Sequence, residues 1–122
     1  MVSTLYSLSL RTLTWTLLSP LPGSSSTVPV PRYFHSAEAW GSKIVICGGE
    51  GYGPEDGVDG APLCTLGDVC IWDTVKSEWT FPEIVCVEGV EAPAPRYAHL
   101  AVVQTFVDEA KGGADSSVMV FI

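Results

Sequence analysis

A repeat of 64 residues runs through this sequence and constrains the fold more than any other feature. Tryptophan, arginine, histidine, proline and apolar landmarks share that one offset (79 − 15 for the tryptophans). They are Trp15 and Trp79, Arg32 and Arg96, His35 and His99, Pro29 and Pro93, Pro31 and Pro95, and Leu5 and Val69. Such self-similarity predicts a repeated unit that buries its apolar face against its neighbours.

Short apolar runs alternate with turn residues inside each repeat, which is typical of antiparallel β-strands. The central repeat is predicted to contain four strands, at 34–40, 43–47, 68–73 and 78–81. Two strands are predicted before it, at 3–10 and 14–18, and two after it, at 97–107 and 118–122. The last repeat carries 11 extra residues (75 − 64) within 108–117, and we expect them to form an exposed loop.

The order of landmarks in the central repeat resembles a kelch repeat, which is one four-stranded blade of a β-propeller. An arginine and a histidine precede an apolar strand, paired glycines follow it, and two tryptophans lie seven residues apart: Arg32, His35, Gly48, Gly49, Trp72 and Trp79. Trp72 occupies a position that is usually tyrosine in this family.

The resemblance covers essentially the whole chain and implies an all-β fold of kelch-type blades with four antiparallel strands each. Residues 1–18 would be the last two strands of one blade, 32–81 a complete blade, and 96–122 the first two strands of a third. The propeller is then incomplete, as in a fragment of a larger propeller. Exposed blade edges would favour self-association or poor solubility.

The resemblance also implies roles for several residues. Arg32, Arg96, His35 and His99 would be structural and would tie adjacent blades together. The paired glycines allow close backbone approaches, and Trp79 covers a neighbouring sheet. No partnered nucleophile accompanies either histidine, so no catalytic residue is expected.

A long acidic stretch at residues 50–66 is the strongest candidate for a binding site. It is predicted to be a loop, and long loops on rigid scaffolds commonly carry function. The candidate binding residues are Glu50, Tyr52, Glu55, Asp56 and Asp59. Their charge predicts a protein partner with a basic surface.

Composition narrows the choice of function. The net charge of −8 argues against binding nucleic acid or an anionic membrane. The four cysteines lack zinc-site spacing and are expected to be buried free thiols in strands, as in a cytoplasmic protein. No metal and no cofactor are expected. The apolar run near the N-terminus is interrupted by Ser, Thr and Arg11, so it indicates neither a signal peptide nor a membrane span.

Two functions remain open. The first is a non-catalytic protein–protein interaction module. The alternative is a fragment of a copper enzyme resembling galactose oxidase, which shares the kelch fold and binds copper through tyrosines and histidines. Tyr33, Tyr52 and Tyr97 are available, but both histidines stand at the structural position. A copper measurement on purified protein distinguishes the two, and the interaction module is the favoured prediction.

Overall fold

A computed structural model of the chain describes residues 3–21, 27–52, 62–108 and 114–122. Its regular structure consists of β-strands: β1 (Leu5–Ser9), β2 (Thr14–Ser19), β3 (Arg32–Tyr33), β4 (Ser36–Trp40), β5 (Lys43–Cys47), β6 (Glu50–Tyr52), β7 (Leu63–Thr65), β8 (Val69–Asp73), β9 (Glu78–Thr80), β10 (Ala101–Asp108) and β11 (Ala114–Phe121). These strands form antiparallel sheets of two to four strands, as incomplete propeller blades do. The predicted fold class is confirmed. Within the described ranges, no helix has the length and apolar character needed to cross a membrane.

The strands β4, β5, β8 and β9 form, in that order, a four-stranded sheet that we call the central blade. Gly41 closes the β4–β5 hairpin with a φ of 57°, a conformation that suits a residue without a Cβ atom. The turn from β8 to β9 is held by the Asp73 carboxylate, which accepts hydrogen bonds of 2.9 Å from the N–H groups of Val75 and Lys76. All four strands lie within two residues of their predicted bounds.

The 64-residue repeat extends to the pairing of the strands. Trp72 lies opposite Trp79 in the central blade, and Leu8 lies opposite Trp15 in the β1–β2 hairpin. Both hairpins turn through residues with positive φ, which are Leu13 at 56° and Ser77 at 57°. The β1–β2 hairpin therefore corresponds in register to β8–β9.

The β10–β11 hairpin corresponds in the same way to β4–β5. Ala101 lies opposite Phe121, just as Ala37 lies opposite Ile46. The expected loop at 108–117 needs correction, because β11 begins at Ala114 rather than at residue 118. The extra residues lengthen the hairpin, since backbone pairing continues up to Asp108 and Ala114.

Strands predicted to begin at residues 34 and 97 start later than expected, at Ser36 and Ala101. The reason is a bend with positive φ just before each strand, at Phe34 (54°) and at Ala98 (52°). These two residues are linked across the blades, because the Ala98 N–H donates to the Phe34 carbonyl at 2.9 Å.

The segment 50–66 is not wholly a loop, as predicted. β6 and β7 join β3 in a separate sheet with the order β3-β6-β7. Gly51 lies opposite both Arg32 and Cys64 in this sheet, so the chain entering the central blade pairs with the chain leaving β5. Long-range backbone pairing of this kind has no local sequence pattern.

The most deeply buried side chains of the described residues lie on β5 and β8. Cys70 is fully buried and Trp72 is 2% exposed. The ring of Trp79 packs on that of Trp72 with centroids 5.2 Å apart, and its Nε1–H donates to the Ser19 hydroxyl at 2.9 Å. Trp79 thus covers the neighbouring hairpin, as expected for a repeat stabilised by its neighbours.

Candidate interaction surface and the contacts that position it

Gly48 and Gly49 are buried where the chain leaves β5, and the next hairpin packs directly on their backbone. A Cβ atom on Gly48 would lie 2.5 Å from the backbone oxygen of Arg96, and one on Gly49 would lie 2.8 Å from that of Tyr33. The Gly49 N–H donates to the Arg96 carbonyl at 2.9 Å. The predicted need for close backbone approach at these glycines is confirmed.

The Arg32 guanidinium holds the inner end of the central blade together. It donates to both carboxylate oxygens of Asp68, at 2.6 and 2.8 Å, and to the Gly48 carbonyl at 3.0 Å. Its side chain is only 4% exposed, whereas that of Asp68 is 45% exposed. Arg32 therefore connects parts of one blade, so the expectation that its side chain ties adjacent blades together is wrong.

The charges of this pair are set by burial and by each other. Burial alone would raise the pKa of Asp68, but the hydrogen bonds and positive charge of Arg32 outweigh it and hold that pKa below its usual value. Burial would lower the pKa of Arg32, and Asp68 reverses this, so the guanidinium stays charged. The pair acts as a fixed ionic clamp.

His99 forms the side-chain link between the central blade and the following hairpin. Its Nε2 lies 2.9 Å from the hydroxyl of Ser36, which is buried at the start of β4. The tie between adjacent blades, implied by the kelch resemblance, is confirmed for His99. Its repeat counterpart His35 has no hydrogen-bond partner among the described residues, and its pKa is lowered by burial and then by the positive charges of Arg32 and His99.

Arg96 contributes to the same junction through its backbone rather than its guanidinium. Its carbonyl accepts from Gly49, and its N–H donates to the Leu66 carbonyl at 3.2 Å. The Arg96 Nε donates to the Ala94 carbonyl, two residues away in its own segment. The arginines of the two repeats therefore have different roles.

Of the five candidate binding residues, Glu50 and Tyr52 lie on β6. Glu50 is directly opposite Tyr33, and a hydrogen bond to its carboxylate raises the pKa of the Tyr33 hydroxyl. Tyr52 lies opposite Leu63, and these side chains are 42% and 45% exposed. The other candidates, Glu55, Asp56 and Asp59, lie outside the described residues.

The tyrosines and histidines of the copper alternative occupy different elements. Tyr33 and Tyr52 lie on the neighbouring strands β3 and β6, whereas Tyr97 precedes β10. His99 is bonded to Ser36, as described above. In the part of the chain that the structure describes, no group of three or more His, Cys, Asp or Glu side chains could hold a metal ion.

The four cysteines are free, but they differ in environment. Burial raises the pKa of Cys47 and raises that of Cys70 to about 12, so both thiols stay protonated. Cys64 on β7 is partly buried. Cys86 is exposed and lies outside any strand, so the expectation of buried strand thiols is wrong for this residue.

Sequence reasoning missed Asp68 and Ser36, the two residues that fix the arginine and the histidine. The repeat gives no signal for either. The residue 64 positions before Asp68 is Thr4, and the residue 64 positions after Ser36 is Leu100. Neither counterpart supplies the same chemistry.

Comparisons with known proteins give one informative similarity. No family model matches the chain. The chain is similar to "Protein ral2" of Schizosaccharomyces pombe, with 30% identity over 80 residues. The match covers 66% of this chain and 12% of that protein, so the chain spans a small part of the relative's length.

Proposed function

We propose that the chain is a non-catalytic protein–protein interaction module of kelch type, and that it binds a partner with a basic surface through its acidic segment, residues 50–59. The kelch type is supported by the four-stranded central blade and by the paired glycines beneath the next hairpin. The similarity to a curated protein over two thirds of the chain is in keeping with a conserved fold unit.

The observation that carries the proposal is the β3-β6-β7 sheet. Tyr52 and Leu63, which flank the acidic segment, are paired across β6 and β7, so the base of the segment is fixed. Both side chains are exposed there. An exposed tyrosine beside clustered carboxylates suits contact with a protein, because tyrosine offers apolar area and a hydroxyl at small entropic cost.

The use of the polar side chains supports a non-catalytic role. Arg32 and Asp68 hold each other, and His99 holds Ser36. These groups stabilise the blades and are already engaged by the chain itself, whereas the carboxylates of the acidic segment supply the charge for a partner.

A displayed library of 12-residue peptides provides the probe for this proposal. The chain should enrich peptides rich in lysine and arginine, and their association rate should fall roughly tenfold as salt is raised, because the charges are exposed. A triple variant with Glu55→Gln, Asp56→Asn and Asp59→Asn should show the same loss at low salt.

The matched control neutralises three exposed carboxylates elsewhere, with Glu83→Gln, Glu88→Gln and Glu91→Gln. It changes the net charge by the same amount and should retain binding. Equal loss in both variants would place the effect in the overall charge rather than in the acidic segment. Enrichment of peptides without basic residues would overturn the proposed partner class.

A further inference from the structure

The two terminal hairpins are complementary halves of one blade. β1–β2 matches β8–β9 in register, and β10–β11 matches β4–β5. In the central blade these two halves meet where β5 pairs with β8, with Lys43 opposite Asp73 and Cys47 opposite Val69. Within the described residues, neither β1 nor β11 has a second neighbouring strand.

The two hairpins of one molecule lie on opposite sides of the central blade. The β1–β2 side is fixed by the Trp79–Ser19 hydrogen bond and by that from the Ser3 hydroxyl to the Pro29 carbonyl. The β10–β11 side is fixed by the His99–Ser36 link. The β1 strand of one molecule therefore cannot reach its own β11.

An apolar cleft of about 300 Å³ opens between the central blade and β11. Large side chains line it, among them Trp40, Ile71, Ile84, Met119 and Phe121. On the other side of the central blade, the corresponding space against β2 is filled by Trp72 and Trp79, which line a cavity with Leu18 and Ser19. The cleft thus lies where the next pair of such side chains belongs.

The β1–β2 hairpin carries side chains that fit this space. Leu8 is the register counterpart of Trp72, and Trp15 is the counterpart of Trp79. Trp15 is 66% exposed in the single chain and Tyr6 is 53% exposed. Burial of these aromatic groups in an apolar cleft is favourable by the area removed from water.

We propose that a second copy of this chain completes the β10–β11 sheet. Its β1 strand pairs antiparallel with β11, with Ser9 opposite Val118, Ser7 opposite Val120 and Leu5 opposite Ile122. Its Leu8 and Trp15 side chains enter the apolar cleft. This register is that of β8 on β5 in the central blade, transferred to the matching strands.

The pairing is head-to-tail, so it generates a ring when the rotation closes. Each copy contributes one central blade and two halves, so n copies form 2n blades. Propellers close at four to eight blades, which requires two, three or four copies. The assembly mass is then two to four times 13.0 kDa.

Charge separates this proposal from the proposed function. Each copy carries a net charge of −8, so added salt should weaken the repulsion between copies and strengthen the ring. Binding of a basic peptide to the acidic segment should respond in the opposite direction. Either proposal can therefore fail while the other holds.

A register-specific disulfide tests the pairing directly. Residues 7 and 120 would form a pair without mutual hydrogen bonds, whose Cα atoms lie about 4.5 Å apart, within disulfide range. The Ser7→Cys and Val120→Cys double variant, in a Cys86→Ser background, should cross-link between molecules at least ten times faster than Ser7→Cys with Met119→Cys. The control pair is one residue out of register. Equal rates would overturn the proposed pairing.

Sedimentation of the unmodified chain gives the second test. We expect a closed species of two to four copies at micromolar concentration. Met119→Pro removes an N–H that points to the open edge of β11, and it should shift the distribution to monomer, whereas Met119→Leu should not. A compact monomer of the unmodified chain would refute the proposal, as would aggregation without the register-specific cross-link.

Discussion

The β8–β9 and β1–β2 hairpins share register and turn but differ in environment. Each places a large apolar residue opposite a tryptophan, and each turns through a residue with positive φ. Trp79 is partly buried against Trp72 and bonded to Ser19, whereas Trp15 is 66% exposed. The same hairpin is therefore covered in one place and open in the other.

This difference separates what a repeat determines locally from what its neighbours supply. Strand pairing and turns follow from residues within the hairpin, so they recur 64 positions apart. Burial depends on the adjacent sheet, and a repeat unit gains much of its stability there. Each contact at the central blade can be tested against a counterpart that lacks it.

The largest expected effect is at the two tryptophans. Trp79→Ala should lower the free energy of unfolding by about 3 kcal/mol, since it removes a packed ring and a hydrogen bond. Trp15→Ala should cost less than about 1 kcal/mol when measured in the Met119→Pro background, where copies do not assemble. Denaturant melts of both variants measure this difference.

The same pair of variants also tests the assembly. In the unmodified background, Trp15→Ala should weaken self-association, because its ring would lose the apolar cleft. Equal and small costs for both variants in the monomer would show that the neighbouring hairpin does not stabilise Trp79, which would break the comparison.

Gly48→Ala should cost about 2–3 kcal/mol, because the new Cβ atom meets the Arg96 backbone oxygen and separates the following hairpin from the central blade. Gly41→Ala is the matched control. Its φ of 57° is close to the 62° of Gly48, but nothing lies within 4 Å of its added Cβ. Thermal or urea unfolding should therefore show a loss of only about 1 kcal/mol for Gly41→Ala. Equal losses would mean that backbone strain alone accounts for the Gly48 effect.

The sequence predicts what local patterns encode. The four strands of the central blade and the need for Gly48 follow from apolar runs and turn residues that are close in sequence. The β3-β6-β7 sheet could not be predicted, because its pairs join residues that only the fold brings together. The partner of Arg32 was missed for a related reason, since the repeat has Thr4 where it has Asp68.

Asp68→Asn should lower the stability by about 2 kcal/mol at neutral pH, because it leaves the enclosed Arg32 charge without its carboxylate. The partial exposure of Asp68 keeps this below the cost of a fully buried ion pair. Glu83→Gln, which removes one exposed charge, should change the stability little.

The pH dependence follows from the lowered pKa of Asp68. A carboxylate with a lowered pKa in the folded state contributes stability above its usual value of 3.8, and this is lost as pH falls through the folded value. Melts between pH 7 and pH 2 should therefore show the native chain approaching Asp68→Asn in acid. A difference that stays constant over this range would contradict the ionic clamp.

The smallest expected effect is at Ser36, whose counterpart in the next repeat is Leu100, 72% exposed. Ser36→Ala removes the hydroxyl from His99 Nε2, while the buried Nδ1 of that ring already has no partner among the described residues. The loss should be about 1 kcal/mol. It should appear first as faster amide exchange at Gly49 and Ala98, whose hydrogen bonds hold the two blades together. The converse variant, Leu100→Ser, supplies a hydroxyl at the position that faces His35 of a neighbouring copy in the proposed ring. It should strengthen the assembly and leave the Met119→Pro monomer unchanged, and sedimentation measures both. A stabilised monomer or a weakened ring would show that Leu100 does not correspond to Ser36 in space.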